Sequence, residues 1–173
     1  MDTPLEVQIG ELLRQRGLKL AVAESCTGGL IGNRLTDVPG SSDYYLGSVT
    51  AYAFEAKRRL LGVQAETLHS FGAVSRETAI EMARGVRKAL IDETSIDTVL
   101  GISVTGIAGP GGGTPEKPVG LTWIGMSTPE GDWAWHYRWN FDRIGNKAAS
   151  AQQALQLVVN YLRGTLPIDD DQR

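Results

Sequence analysis

Cysteine and histidine are scarce in this sequence, and their scarcity excludes several kinds of site. The single cysteine, Cys26, has no partner for an internal disulfide, which is typical of a reducing compartment and predicts a cytoplasmic location. The two histidines, His69 and His136, are far apart and lack a cysteine or acidic cluster at the spacing of metal ligands. We therefore expect no structural zinc site.

Long apolar runs and basic blocks are also missing. No apolar run approaches the roughly 20 residues that cross a bilayer, and the acidic, amphipathic start of the chain does not have the form of a signal peptide. The formal net charge is -3, whereas a surface that binds nucleic acid or an anionic membrane needs a basic face. We therefore expect neither a membrane nor a nucleic acid as a partner.

The remaining composition is ordinary for a globular domain. Hydrophobic residues make up 42% of the 173 residues and charged residues 21%, so a proper core is expected. A chain of this length fits one domain. The end of the chain, residues 168–173, is polar and is expected to be frayed.

Helix and strand patterns alternate along the chain. A first helix is predicted to begin with Thr3 as its cap and Glu6 in a capping box, and to stop at Gly17. An apolar run at residues 18–23 indicates a buried strand, and the glycine pair at 28–29 opens a second helix. We also expect strands at residues 44–52, 98–105, 119–127 and 133–141, and helices at residues 55–61 and 65–70, after Ser75, and at residues 143–163. This alternation implies a layered α/β domain, and the hairpin of the last two strands makes its sheet mixed.

The segment AESCTGG, residues 23–29, joins the first predicted strand to the second helix. A helix start carries free backbone N–H groups that can hold a phosphate or an oxyanion, and Ser25 would lie beside them. Ser25 is therefore a candidate nucleophile, although a serine at this place is equally explained as a helix cap. Cys26 is the rival nucleophile, because a helix start lowers the pKa of a thiol, but cysteine is also often a small buried filler.

The segment AYAFEAKRRLLG, residues 51–62, offers a base for that serine. A lysine can activate a serine only when it is neutral, and a reference pKa of about 10.4 must then fall by roughly 3 units. Burial, a helix start and the adjacent cations Arg58 and Arg59 would all lower the pKa of Lys57. Tyr52 would relay or orient the proton. The alternative is that residues 57–59 form a solvated face and that Tyr52 belongs to the core.

A glycine-rich loop, GIAGPGGGTPEKPVG at residues 106–120, follows another predicted strand. Glycine lets the backbone approach a ligand closely, and long loops of this kind are often functional, so we interpret the loop as facing a ligand. It lacks the GxxxxGK[ST] spacing of a phosphate-binding loop, and the alternative is a plain surface loop. Arg143, at the start of the last helix, is a candidate for binding a phosphate.

Aromatic residues recur at every second position near the end of the chain. Period two would place all of them on one face of a strand, which predicts a core face or a contact between subunits. We favour either of these over base stacking by one of the rings, and we expect a homo-oligomer. These residues are Trp133, Trp135, Tyr137, Trp139 and Phe141.

Several short motifs occur together in a fixed order: AESCTGG, VPGSS at residues 38–42, LLGV at 60–63, GAVS at 72–75, GIAGP at 106–110 and KPVG at 117–120. With them the sequence resembles, from about Leu5 to Arg163, the C-terminal domain family of CinA, the nicotinamide-nucleotide amidohydrolases called PncC. The resemblance implies a three-layer α/β/α sandwich with a mixed, mostly parallel sheet. It makes residues 1–165 a single amidohydrolase domain and residues 166–173 a polar tail. Full-length relatives carry an additional N-terminal domain, which we expect this chain to lack.

The resemblance also implies an activity, the hydrolysis of the carboxamide of nicotinamide mononucleotide to nicotinic acid mononucleotide and ammonia, without metal or organic cofactor. It assigns the nucleophile to Ser25 and the supporting pair to Tyr52 and Lys57. The nucleotide substrate is the expected partner. Residues expected to contact it are Cys26, Thr27, Gly28, Gly29, Thr105, Gly106, Gly109 and Arg143.

The sequence departs from the family pattern at Phe54, Gly111, Phe141 and Lys147, where relatives often have asparagine, aspartate, glycine and arginine. These positions concern the pocket more than the nucleophile, so they bear on which substrate is accepted. The alternatives are a nucleotide-binding module without turnover, an enzyme for another amide, or a role linked to competence and DNA damage.

Overall fold

The computed structural model describes residues 3–172 and contains six α-helices and five β-strands in this range. In chain order they are α1 (Leu5–Arg16), β1 (Lys19–Glu24), α2 (Leu30–Thr36), β2 (Tyr45–Thr50), α3 (Phe54–Leu61), α4 (Ala65–Phe71), α5 (Arg76–Ala89), β3 (Val99–Gly106), β4 (Leu121–Thr128), β5 (Gly131–Arg138) and α6 (Arg143–Arg163). Every predicted helix and strand is present, with bounds shifted by a few residues at most.

The strands form one sheet in the order β2-β1-β3-β4-β5. β1 is parallel to both β2 and β3, whereas β4 and β5 are antiparallel to their neighbours. β1 therefore lies inside the sheet, and at its carboxyl end Glu24 is paired with Thr50 on one side and Val104 on the other. The predicted α/β sandwich with a mixed sheet is confirmed.

Helices cover both faces of this sheet, and each face has its own apolar cluster. One cluster joins α1, α2 and α6 to the sheet around Leu13, Ile31 and Val158. The other joins α3, α4 and α5 to the sheet around Leu61 and Met82. In the described part of the chain, no helix is long and apolar enough to cross a bilayer.

The start of α1 differs from its prediction. Pro4, and not Thr3, occupies the cap position: its backbone is extended, and its carbonyl accepts from the amides of Val7 and Gln8 at 3.1 Å. No side chain caps this helix, and Glu6 instead pairs with Arg34 of α2 at 2.7 Å. Because the carboxylate of Glu6 is paired with Arg34, it does not form the predicted capping box. The helix ends at Gly17, as predicted.

The aromatic alternation in β5 belongs to the core. Trp133, Trp135 and Tyr137 face the cluster that contains α6, and Trp139 stacks on Tyr137 with ring centroids 5.4 Å apart. Trp139 and Phe141 lie beyond the end of β5, and Phe141 is exposed, so the prediction that all five rings share one strand face is wrong for these two residues. Trp135 is buried within the chain and the other three rings are half-buried, and a homo-oligomer stays a prediction.

The polar end of the chain packs along β5, so the expectation of fraying is wrong for residues 168–171. Asp169 accepts from the backbone amide of Ala134 at 2.7 Å, and the indole of Trp135 donates to the carbonyls of Pro167 and Ile168. β5 is an edge strand with unpaired amides, and the tail satisfies them. Residue 173 lies outside the described residues.

Candidate active site

Ser25 lies at the carboxyl end of β1, where the sheet holds it from both sides. Its amide donates to the carbonyl of Val104 at 3.0 Å, and the preceding carbonyl of Glu24 accepts from Ala51 at 2.8 Å. The chain then turns through Gly28 and Gly29, whose φ values of 63° and 105° favour glycine, before α2 begins. Ser25 is 7% exposed, so its hydroxyl lies just below the surface.

Lys57 projects from α3 toward this serine. Its side chain is 1% exposed, and Nζ lies 2.9 Å from Oγ of Ser25. Nζ also donates to the carbonyls of Ala51 at 2.9 Å and Tyr52 at 3.0 Å. The alternative of a solvated face is therefore wrong for Lys57.

Burial lowers the pKa of Lys57 from 10.5 to about 8. The nearby thiol of Cys26 acts in the opposite direction when it is charged. The adjacent cations Arg58 and Arg59 are exposed to water, and burial accounts for the lowered pKa without them. A lysine with this pKa is partly neutral near neutral pH, as a base for Ser25 requires.

Lys57 has the hydrogen-bond geometry of a base. A neutral amine has two N–H donors and one lone pair. The carbonyls of Ala51 and Tyr52 occupy two directions around Nζ, and Ser25 occupies the third. In the neutral state the lone pair therefore faces the serine hydroxyl, within the distance at which a general base takes a proton.

Cys26 is poorly suited to be the nucleophile. Its side chain is buried, and burial raises the pKa of the thiol from 9.0 to about 11. At neutral pH the thiol thus stays protonated and unreactive. A Cβ on Gly106 would stand 3.1 Å from the sulfur, so glycine at this position makes room for the thiol and for Thr122.

The backbone amides of Cys26 and Thr27 follow Ser25 in this turn, and the side chains of both residues are buried. Within residues 3–172, no other residue accepts a hydrogen bond from the N–H groups of Cys26 and Thr27. The next amides are already used, since Gly28 donates to the carbonyl of Ser25 at 3.1 Å and Gly29 donates to the carboxylate of Glu24 at 3.0 Å. The amides of Gly28 and Gly29 are therefore unavailable to an anion, and of the predicted anion site only the amides of Cys26 and Thr27 remain.

The side chain of Tyr52 is exposed and contacts Arg143. The phenol is 63% exposed, which contradicts the core alternative, and its oxygen lies 3.2 Å from Nη2 of Arg143. The hydrogen bond that Tyr52 makes with Lys57 comes from its backbone carbonyl. A role of the phenol as proton relay stays a prediction.

Arg143 connects the start of α6 to the glycine-rich loop. Its Nη1 donates to the carbonyl of Gly109 at 2.7 Å, and Asn146, one turn further on, donates to the carbonyl of Ala108 at 3.0 Å. The first part of the loop therefore packs against the start of α6, and its role in facing a ligand stays a prediction. Thr105 precedes it, but its buried hydroxyl already donates to the carbonyl of Ala73 at 2.7 Å.

Lys147, which sequence analysis named as a pocket position that departs from the family pattern, lies close to the turn after Ser25. Its Nζ lies 3.7 Å from the position that a Cβ on Gly28 would take. Residues four apart share a helix face, so Arg143 and Lys147 lie on the same side of α6. The other three departures, Phe54, Gly111 and Phe141, are exposed.

Comparison with known proteins identifies the family. The sequence profile of the CinA C-terminal domain matches residues 2–162. The chain belongs to this family. CinA-like proteins from Salinibacter ruber and Chloroherpeton thalassium are each 50% identical to it, over 155 and 168 residues, which is 90% and 95% of this chain. The matches cover 36% and 39% of those proteins, so the chain spans less than two fifths of their length.

Solved structures of the family share the fold. The competence/damage inducible protein CihA from Agrobacterium tumefaciens is 36% identical, with a TM-score of 0.81 over 94% of this chain and 99% of that one. A CinA superfamily protein from Klebsiella pneumoniae is 29% identical, with a TM-score of 0.85 over 92% of this chain and 96% of that one.

Proposed function

We propose that this CinA domain hydrolyses the carboxamide of nicotinamide mononucleotide to nicotinic acid mononucleotide and ammonia. One observation carries the hydrolytic part of the proposal. A buried lysine with a pKa of about 8 lies 2.9 Å from a serine hydroxyl at the end of a central strand. The choice of substrate rests on the resemblance to nicotinamide-nucleotide amidohydrolases.

The first half of the reaction forms an acyl-enzyme. Neutral Lys57 takes the proton of Ser25, and Oγ attacks the carboxamide carbon. The amide oxygen becomes an oxyanion, which the N–H groups of Cys26 and Thr27 stabilise. When the tetrahedral intermediate collapses, the C–N bond breaks, and the nitrogen leaves as ammonia with the proton that Lys57 held.

The second half regenerates the enzyme. A water molecule gives a proton to neutral Lys57 and attacks the ester carbon, which again forms an oxyanion at the same amides. The bond between carbon and Oγ of Ser25 then breaks, Oγ takes the proton back from Lys57, and the product leaves as a carboxylate. Protons and bonds balance over the cycle, and no cofactor takes part.

The phosphate of the substrate fits the start of α6 better than the start of α2. Arg143 and Lys147 both belong to α6 and carry positive charge: Lys147 lies near Gly28 in the turn after Ser25, and Arg143 contacts Gly109 and Tyr52. The amides at the start of α2 are already occupied, and their acceptor is the anionic Glu24. An anion there would meet a like charge.

The decisive experiment measures ammonia release from nicotinamide mononucleotide. We expect the purified protein to release one ammonia per nicotinic acid mononucleotide formed, and Ser25→Ala to abolish release while keeping its circular dichroism spectrum. The matched control Ser103→Ala removes a serine on the neighbouring strand whose hydroxyl donates to the carbonyl of Ala79. It should retain turnover. Undiminished release by Ser25→Ala would refute the nucleophile.

A nucleotide-binding module without turnover, or an enzyme for another amide, is the second candidate. One observation favours it, the low exposure of Ser25, and the family resemblance adds that Lys147 stands where an arginine is expected. Calorimetry that shows tight binding of nicotinamide mononucleotide without ammonia release would support the module. Release from another carboxamide would support the other enzyme.

Some relatives are named as competence-damage inducible proteins, which motivates a test for DNA binding. A net charge of -3 disfavours direct contact with DNA. A gel shift with duplex or single-stranded DNA that weakens as salt rises would reverse this conclusion.

A further inference from the structure

Glu24, the residue before the proposed nucleophile, is a fully buried carboxylate with three backbone partners. Its Oε2 accepts from the amides of Gly29 at 3.0 Å and Ile31 at 3.2 Å. Its Oε1 accepts from the amide of Gly32 at 2.9 Å. Within residues 3–172, no lysine, arginine or histidine forms a salt bridge with it. The start of α2 is therefore its counter-charge.

Two polar side chains of β2 also support the carboxylate. Ser48 of β2 donates to Oε1 of Glu24 at 3.4 Å, and the hydroxyl of Tyr45 is hydrogen-bonded to Ser48. A Cβ on Gly32 would stand 2.6 Å from each of these two hydroxyls, so α2 lies directly against them. The carboxylate is thus fixed by α2 and by the edge strand together.

Glu24 holds both ends of the turn that carries the reactive groups. Its backbone belongs to β1 and is paired with β2 and β3, while its side chain is bonded to α2. The four residues between these two anchors, 25–28, include Ser25 and the two free amides of Cys26 and Thr27. The same residue therefore sets the distance across the turn.

We propose that Glu24 is a positioning residue that holds residues 25–28 in the conformation in which Oγ of Ser25 meets Lys57 and the amides of Cys26 and Thr27 meet the oxyanion. This inference rests on the proposed function. A carboxylate suits the position because it can accept from all three amides, whereas a glutamine of the same shape sets an NH2 group against at least one N–H.

The test is Glu24→Gln, with Asp169→Asn as its matched control. Asp169 is also a buried carboxylate that accepts from two backbone amides, those of Ala134 and Asp171, but it supports the edge strand β5. We expect Glu24→Gln to lower kcat for ammonia release tenfold to a hundredfold, with KM within twofold. Asp169→Asn should lower the melting temperature and leave both constants within twofold.

The outcomes separate positioning from stability. Full kcat in Glu24→Gln would overturn the proposal, and so would an equal loss of kcat in Asp169→Asn, because a general loss of stability then explains both. If Glu24→Gln does not fold, Glu24→Asp replaces it. That variant keeps the charge but is one methylene short of the amides, and the same loss of kcat is expected.

A serine-reactive fluorophosphonate keeps this test separate from the choice of substrate. If the wild-type protein releases no ammonia, the proposed function fails, and the labelling rate of Ser25 becomes the readout. Labelling at least tenfold slower in Glu24→Gln than in Asp169→Asn supports positioning, and equal rates overturn it. A wild-type protein that is not labelled overturns both proposals.

Discussion

Two buried cations on one face of the sheet have similar surroundings and different chemistry. Lys57 on α3 meets Ser25 at the end of β1, and Arg87 on α5 meets Ser127 near the end of β4 at 3.0 Å. Each cation also donates to two backbone carbonyls. Burial lowers the pKa of both side chains.

The difference lies in what burial can achieve with each group. The pKa of Lys57 falls to about 8, so the amine can lose its proton under mild conditions. A guanidinium begins so high that a lowered pKa still leaves it charged. Ser127 is also fully buried, whereas Ser25 is slightly exposed. Under the proposed mechanism, a buried cation beside a serine supports catalysis only where its proton is removable and a substrate can approach.

The largest effect on activity is expected when Lys57 is replaced by arginine, the cation found at the second site. Lys57→Arg keeps the charge but supplies a group that cannot act as a base, so ammonia release should fall on the order of 10³-fold. Steady-state kinetics on folded protein measure this. If Lys57→Arg retains more than a tenth of the activity, Lys57 is not the base.

Stability should also depend on pH through Lys57. Because its pKa is about 8 in the folded protein and 10.5 in the unfolded chain, the unfolded chain binds more protons between these values. Stability then rises with pH across this window, by on the order of 3 kcal/mol in total.

Urea titrations of the wild-type protein and Lys57→Met, at steps from pH 7 to 10.5, isolate this contribution. The difference between the two proteins is needed because Cys26, with a raised pKa of about 11, acts in the opposite direction above pH 9. A pH-independent difference would show that Lys57 is not perturbed.

Activity should also depend on the protonation state of Lys57. The neutral fraction of Lys57 is about one half at its pKa of about 8 and about one hundredth at pH 6, so kcat/KM should fall about fiftyfold between these two pH values. Arg87→Lys, which leaves Lys57 untouched, serves as the control and should give the same profile. A flat profile over this range contradicts a lysine base.

The smallest effect is expected at the structural cation. Arg87→Lys replaces a guanidinium that reaches Ser127, Val99 and Ile96 by a single ammonium, so the free energy of unfolding should fall by about 1–2 kcal/mol. Chemical denaturation measures the loss, and kcat should stay within twofold. A large loss of kcat would mean that the two regions are coupled.

Sequence analysis succeeded where the signal was local and failed where a distant group decided the outcome. The helices and strands follow from apolar periodicity and glycine positions, and the Ser25 segment follows from a strand that ends before a helix. The contacts of Glu24 and Asp169 were missed. Each carboxylate accepts from backbone amides of another element, and which amides lack a backbone partner is known only from the folded chain. The available signal for Glu24 was an acidic residue directly after an apolar run that predicts a buried strand.

By itself, the sequence determined the α/β class, the order of the elements and the segments that carry Ser25 and Lys57, because these depend on patterns within short stretches. Only the tertiary structure distinguishes the two candidate nucleophiles, Ser25 and Cys26, by their surroundings. It buries Cys26 as a protonated thiol and places Lys57 against Ser25, thirty-two positions away in the chain. A pKa depends on burial and on neighbours in space, and neither is written in the local sequence.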